Sequence, residues 1–195
     1  MRFYHGRIDL SKYELTRGQS MNYADIKRID VANGPGVRVS LFVSGCTHHC
    51  KGCFNEVTWD FNYGNPFTEK EINLIIEYLD KDFIKGLTIL GGEPFEYPNQ
   101  KGLLPLLRRV RKELPEKSIW CFSGYLFDEQ IVGQMCEKWE ETREMLSYLD
   151  VVVDGKFEEE RKNLGIRFRG SDNQRIILVK ESLEKGEVVL WDESQ

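Results

Sequence analysis

Val37-Arg38-Val39-Ser40-Leu41-Phe42-Val43, followed after Ser44-Gly45 by Cys46-Thr47-His48-His49-Cys50-Lys51-Gly52-Cys53, reads as an apolar strand that runs straight into a loop bearing three thiols. That spacing suits three irons of a four-iron cubane and leaves the fourth iron without a protein ligand. A four-iron cluster is usually closed off by four cysteines, so a compact trio with no nearby fourth implies that something exchangeable completes the site.

Working outward, Tyr23 to Val31 reads as a second strand, separated from Val37–Val43 by the turn Asn33-Gly34-Pro35-Gly36. Downstream, Thr68-Glu69-Lys70-Glu71 has the spacing of a capping box, and Ile72, Ile75, Ile76 and Leu79 follow at helical intervals to about Asp82. Leu87 to Leu90 is a short apolar run ending at Gly91-Gly92. Leu103, Leu104, Leu107 and Val110 then mark a second amphipathic helix. Ile119 to Phe122 reads as a strand closed by Ser123-Gly124. Asp128 is the expected N-cap of a third helix, with Ile131, Val132, Met135 and Trp139 inward and the run from Glu137 to Glu144 solvated. Strand-like runs recur at Val151 to Val153, Ile176 to Val179 and Val188 to Trp191.

Strands alternating with helices imply βαβ units and a mostly parallel sheet. A complete eightfold barrel takes about 250 residues, and this chain has 195 with three clear helices. The expectation is therefore α/β, a partial, open β/α barrel with one side free for a large substrate. In such sheets functional loops follow the carboxyl ends of strands. The cysteine loop, Gly91-Gly92-Glu93-Pro94, Ser123-Gly124 and Asp154-Gly155-Lys156 each do so, which predicts that they meet on one rim.

The length fits one domain, with residues 1–20 as a polar N-terminal extension and 21–195 as the domain proper. Net charge is -5 with both signs interspersed, so no cationic footprint for nucleic acid is present. The first residues lack the apolar core of a secretory signal and no apolar run reaches bilayer length, so a cytoplasmic protein is expected. Five cysteines, three of them clustered, do not form a disulfide framework, and reduced thiols binding metal fit better. Cys121 and Cys136 lie in apolar segments and read as buried, inert thiols.

Gly91-Gly92-Glu93-Pro94 ends a strand with two residues lacking side chains, so a ligand can approach the backbone, and adds a carboxylate able to accept from an ammonium group. With the cysteines, this pattern resembles the radical S-adenosylmethionine (SAM) superfamily, whose signatures are Cys-x₃-Cys-x₂-Cys and a Gly-Gly-Glu strand end. The resemblance implies a radical SAM-type barrel and a 4Fe-4S cluster on Cys46, Cys50 and Cys53, with SAM chelating the open iron. Reductive cleavage of SAM then yields a 5'-deoxyadenosyl radical that abstracts a hydrogen atom. By the same resemblance Gly91, Gly92 and Glu93 contact the methionyl ammonium, and Ser123-Gly124 lies near the ribose or methionyl carboxylate. The residue before the third cysteine, often aromatic in that superfamily, is Gly52 here, and Phe54 beyond Cys53 is placed to stack near adenine instead.

Cys46-Thr47-His48-His49-Cys50-Lys51-Gly52-Cys53-Phe54-Asn55 with Thr58-Trp59 resembles, within that superfamily, the activating enzymes of anaerobic (class III) ribonucleoside-triphosphate reductase. Asn33 to Arg38, Ser123-Gly124-Tyr125, Asp150 to Phe157 and Arg169 to Arg175 agree as well. This implies an activase that makes a glycyl radical on the reductase's glycyl radical subunit, served by an electron donor such as flavodoxin or ferredoxin. Two alternatives stay open: a radical SAM enzyme acting on a small molecule such as a purine-derived precursor, and a non-catalytic zinc module completed by His48, His49 or a distant cysteine. His48 and His49 read as loop packing or as donors to the ligands rather than iron ligands. Trp59, Phe61 and Tyr63 either shield the cluster or face the partner. Asp154-Gly155-Lys156 and Arg169 to Arg175 are equally explained as plain turn and polar loop.

Overall fold

The computed structural model describes Ile8 and residues 20–192. Of the expected N-terminal extension only Ile8 and Ser20 are included, and the rest lies outside the described residues. The strands are β1 (Asn22–Asp30), β2 (Val37–Val43), β3 (Asn65–Pro66), β4 (Ile84–Gly91), β5 (Ser118–Phe122), β6 (Val151–Asp154) and β7 (Arg175–Leu178). They form one sheet in the order β3-β1-β2-β4-β5-β6-β7. The pairs β2·β4, β4·β5 and β5·β6 are parallel, while β1, β3 and β7 add antiparallel margins. The sheet is open, as expected for a partial barrel.

Period-two alternation divides the two faces. Val39, Leu41, Val43, Leu87, Ile89, Ile119, Cys121 and Val152 point into the main core with α1 (Glu69–Leu79), α2 (Tyr97–Glu113) and α4 (Glu140–Tyr148). Their neighbours Arg38, Ser40, Thr88 and Trp120 are buried on the other face. There the segment after β6 covers part of the sheet, with Phe168 and Trp191 against Trp120. The uncovered part of that face is a hollow at the carboxyl ends of the strands.

The capping box at the start of α1 is present, with Glu71 Oε2 accepting the Thr68 N–H at 2.9 Å. The third helix departs from expectation. A π-helix (Phe127–Met135) and a short α3 (Cys136–Lys138) stop at Trp139, whose backbone is extended, and α4 begins anew. Leu126, not Asp128, is the N-cap. Asp128 is drawn off by Arg175 at 2.9 Å, and Asp154 accepts the Phe127 N–H at 2.7 Å in its place. The Glu-rich run is only half solvated, because α4 buries Thr142, Met145 and Leu146 while Glu144 pairs with Arg108. Val188 to Trp191 forms no named strand. One isolated bridge, Ile177↔Leu190, joins it to the sheet margin beyond α5 (Val179–Lys185).

Candidate active site

The chain leaves β2 through Gly45, whose φ of +97° is open to glycine and whose absent side chain is replaced by the Phe61 ring. Gly45 and Cys46 then donate their N–H groups to the carbonyls of Thr58 and Trp59, in a 3-10 turn at Glu56–Trp59. Two buried carboxylates from the turn between β4 and α2 hold the loop from below. Glu96 Oε1 accepts the Thr47 N–H at 3.0 Å and its hydroxyl at 2.5 Å. Glu93 Oε2 lies 2.9 Å from His48 Nε2.

Glu93 is only 1% exposed, and both of its oxygens are shared among the rim loops. Oε1 accepts from Phe95 N and the Ser123 hydroxyl, and Oε2 from Gly124 N at 2.7 Å as well as facing His48. One carboxylate therefore ties together the cysteine loop, the end of β4 and the end of β5. The His48 ring lies 4.3 Å from that of Tyr125, and a side chain on Gly124 would run into it at 2.5 Å. Gly91 and Gly92 have a similar explanation: added Cβ atoms would meet Phe42 Cα at 2.8 Å and the Gly45 carbonyl at 2.6 Å. Their missing side chains let β4 close against the exit of β2 while both still line the hollow.

That hollow is a cavity of about 570 Å³. All three loop cysteines open on it, together with Phe54, Trp59, Gly91, Gly92, Glu93, Ser123, Gly124, Gly155 and Phe157. The rim convergence read from the sequence is therefore present. Cys46 is buried, and Cys50 and Cys53 are half-buried. Asn55 N donates to the Cys53 sulfur at 3.4 Å. Burial, helped by the Glu93 charge, pushes the Cys46 thiol up to about 12. Cys50 is also raised by burial, against the opposing pull of Lys156 and the Phe157 N–H. Iron binding must displace those protons.

The donor set fits a 4Fe-4S cluster. It offers three soft sulfur donors and an adjoining cavity for an exchangeable ligand. Among the described residues no three His, Cys, Asp or Glu side chains converge as a single metal ion requires. A cubane differs in that each thiolate meets its own iron.

Gly52, exposed on the outer side of the loop, has φ +70°, and a side chain there would meet the Glu159 carboxylate at 2.9 Å. Phe54 is 60% exposed at the cavity mouth, with its ring 5.2 Å from Phe157. His49 stacks on Trp59 at 4.5 Å. Cys121 is fully buried and Cys136 half-buried, and burial raises both thiols, Cys136 to about 11. Sequence reasoning missed Glu96, and it singled out Asp150 to Phe157 and Arg169 to Arg175 without placing Phe157 and Gln174 in the cavity wall. Glu96 had a faint signal, as a carboxylate just ahead of an amphipathic helix.

A family model for a 4Fe-4S single cluster domain matches residues 32–177. The chain is 43% identical over 158 residues to an anaerobic ribonucleoside-triphosphate reductase-activating protein of Vibrio cholerae, covering 80% of this chain and 97% of the relative. The chain belongs to this family of activating proteins. The family member of Enterobacteria phage T4 is 42% identical over 80% of this chain and 93% of its own length. That of Escherichia coli is 41% identical over 80% and 97%. Family membership thus spans the cysteine loop, the rim turns and the cavity they enclose.

Proposed function

We propose that this chain is a radical SAM activase that generates a glycyl radical on anaerobic ribonucleoside-triphosphate reductase. Cys46, Cys50 and Cys53 hold its 4Fe-4S cluster, and residues 21–195 act as one domain. The observation that carries this reading is the convergence of the three loop thiols with Gly91, Gly92, Ser123 and Gly124 on one cavity. Relatives 41 to 43% identical and named for reductase activation support it.

When bound, the cluster and SAM supply one-electron reductive chemistry that ends with a hydrogen atom leaving the partner's glycine. The chain's own residues bind, orient and exclude water. Glu93 and Glu96 fix the loop between Cys46 and Cys50, so little reorganisation accompanies loading. Ser123 and Gly124, held by the Glu93 carboxylate, form the wall assigned to the ribose or methionyl carboxylate. Gly91 and Gly92 form the wall assigned to the ammonium. Cys53 and Phe54 stand at the mouth, where Phe54 and Phe157 offer apolar surface to adenine, and Gly52 lies beside it on the outer side of the loop.

The open face of the sheet leaves room for a loop of the reductase. A flavodoxin or ferredoxin is the class of donor suited to deliver the electron. A cytoplasmic setting keeps the thiols reduced. Among the described residues no helix is long and apolar enough to cross a membrane.

The test is to mix the anaerobically reconstituted protein with the reductase, SAM and a reductant, and to record the electron paramagnetic resonance spectrum. A glycine-centred doublet is expected. SAM cleavage without a doublet sinks the partner assignment, and intact SAM sinks the radical chemistry.

A further inference from the structure

After β6 the chain makes a 3-10 turn at Glu159–Arg161 and doubles back as a small hairpin over residues 161–172. Lys162 and Ser171 form an antiparallel bridge, Asn163 N donates to the Gly170 carbonyl at 3.2 Å, and Asp172 N donates to the Arg161 carbonyl at 3.1 Å. Arg161 Nε donates to Asp172 Oδ1 at 2.6 Å across the same base. The returning arm is anchored too. Phe168 has φ +56°, uncommon for a bulky residue, and its ring packs 5.7 Å from that of Trp120 and 6.0 Å from that of Trp191. Lys51, inside the cysteine loop, reaches the 3-10 turn through Glu159 Oε2 at 3.0 Å. The hairpin is therefore fixed to the sheet and tied to the cysteine loop.

At its tip, Gly165 N donates to Asn163 Oδ1 at 2.9 Å, and Leu164 between them is 81% exposed. A lone exposed leucine is ordinary. Leu164, however, also lines the reaction cavity together with Ile166, on a loop that a rigid base holds in place, and such loops are where binding surfaces are built. The occupant follows from the reaction. The hydrogen atom is taken from a glycine within a polypeptide, so a stretch of the reductase must pass the mouth to reach the cavity that cluster and SAM share. Glycine has no side chain to hold, so the grip must fall on its neighbours. We propose that Leu164 and Ile166 are the docking surface for apolar side chains flanking that glycine in the reductase. The proposal rests on the reading that the reductase is the partner.

The test is an anaerobic binding titration of the reconstituted full chain with the reductase, beside a titration with SAM alone. Leu164→Ser and Ile166→Ser should each weaken reductase binding about tenfold, the order expected when an aliphatic side chain loses its burial against a partner. Iron content and SAM affinity should match the parent. Leu164→Met, which keeps an apolar side chain, should retain the parent affinity for the reductase, as should Leu183→Ser, the same change at an exposed position of α5 outside the cavity lining. Parent affinity for the reductase in either serine variant of the tip overturns the proposal. So does a matching loss of SAM affinity, which would give the tip to the nucleotide, or an equal loss in Leu164→Met or Leu183→Ser. A parent protein that does not bind the reductase at all is the separate failure of the partner reading.

Discussion

The two ends of the parallel strands are built around opposite charges. At the amino end Arg38 is buried under the turn at Gly34 and donates to Thr88 Oγ1, the Leu87 and Ser118 carbonyls, and Ser118 Oγ, all within 3.0 Å. Burial lowers its guanidinium to about 10, with the charges of Asp150 and Asp30 acting against the fall. At the carboxyl end Glu93 and Glu96 are buried anions that gather N–H and hydroxyl donors from loops. The cation grips strands and so fastens the sheet. The anions grip loops and so shape a surface for ligand. Buried charge thus serves rigidity at one end and preorganisation at the other.

The contrast can be broken most severely at the cysteines. Cys46→Ala, Cys50→Ala or Cys53→Ala should each abolish cluster absorption and iron content after anaerobic reconstitution. Cys121→Ala and Cys136→Ala should keep both, since those thiols lie away from the cavity. A comparison of one charge from each end sharpens it. Arg38→Met leaves two carbonyls and two hydroxyls short of a donor and should cost about 3 to 4 kcal/mol in urea unfolding, with iron content per folded molecule unchanged. Glu93→Gln places an amide nitrogen among donors and should cost about 1 to 2 kcal/mol, yet reduce iron content markedly. Equal iron losses in the two variants would erase the distinction.

The smallest effect is with acid. Burial alone would raise Asp30, but Ser40, Asn33 and the Ala32 N–H outweigh it and carry the carboxyl below its ordinary 3.8. Asp128, at the other end, is lowered from 3.8 in the same way, with Arg175 outweighing burial. Both carboxyls are depressed in the folded state, so their stabilisation is complete above the ordinary value and is lost as pH falls through the folded values. Urea midpoints should therefore be flat above about pH 5 on account of these groups and decline below pH 4. Asp30→Asn and Asp128→Asn should each flatten that decline.

What the sequence disclosed was what periodicity and spacing encode. Val37–Val43 and the Thr68 capping box were legible because each element carries its own signal locally. The rim was legible because loops that end parallel strands must share an edge. The break at Trp139, whose ring lies 4.9 Å from that of Tyr97, was hidden because no breaker residue marks it. Asn33-Gly34-Pro35-Gly36 is legible as a turn, but its role as a cover for Arg38 depends on the fold that brings the two together. Gly91-Gly92 was legible as a place of close approach, whereas the identity of what approaches, the exit of β2, required the register.

The wall that Gly155 and Phe157 give the cavity bears on the order in which the molecule is made. A ribosome releases the cysteine loop early, but the residues that complete its cavity from the other side, Gly155 to Gln174, emerge only after β6. Metal delivered to a nascent polypeptide would meet thiols whose cavity still lacks a wall. Maturation is therefore best timed after synthesis has finished, with iron entering a pocket that has already been assembled.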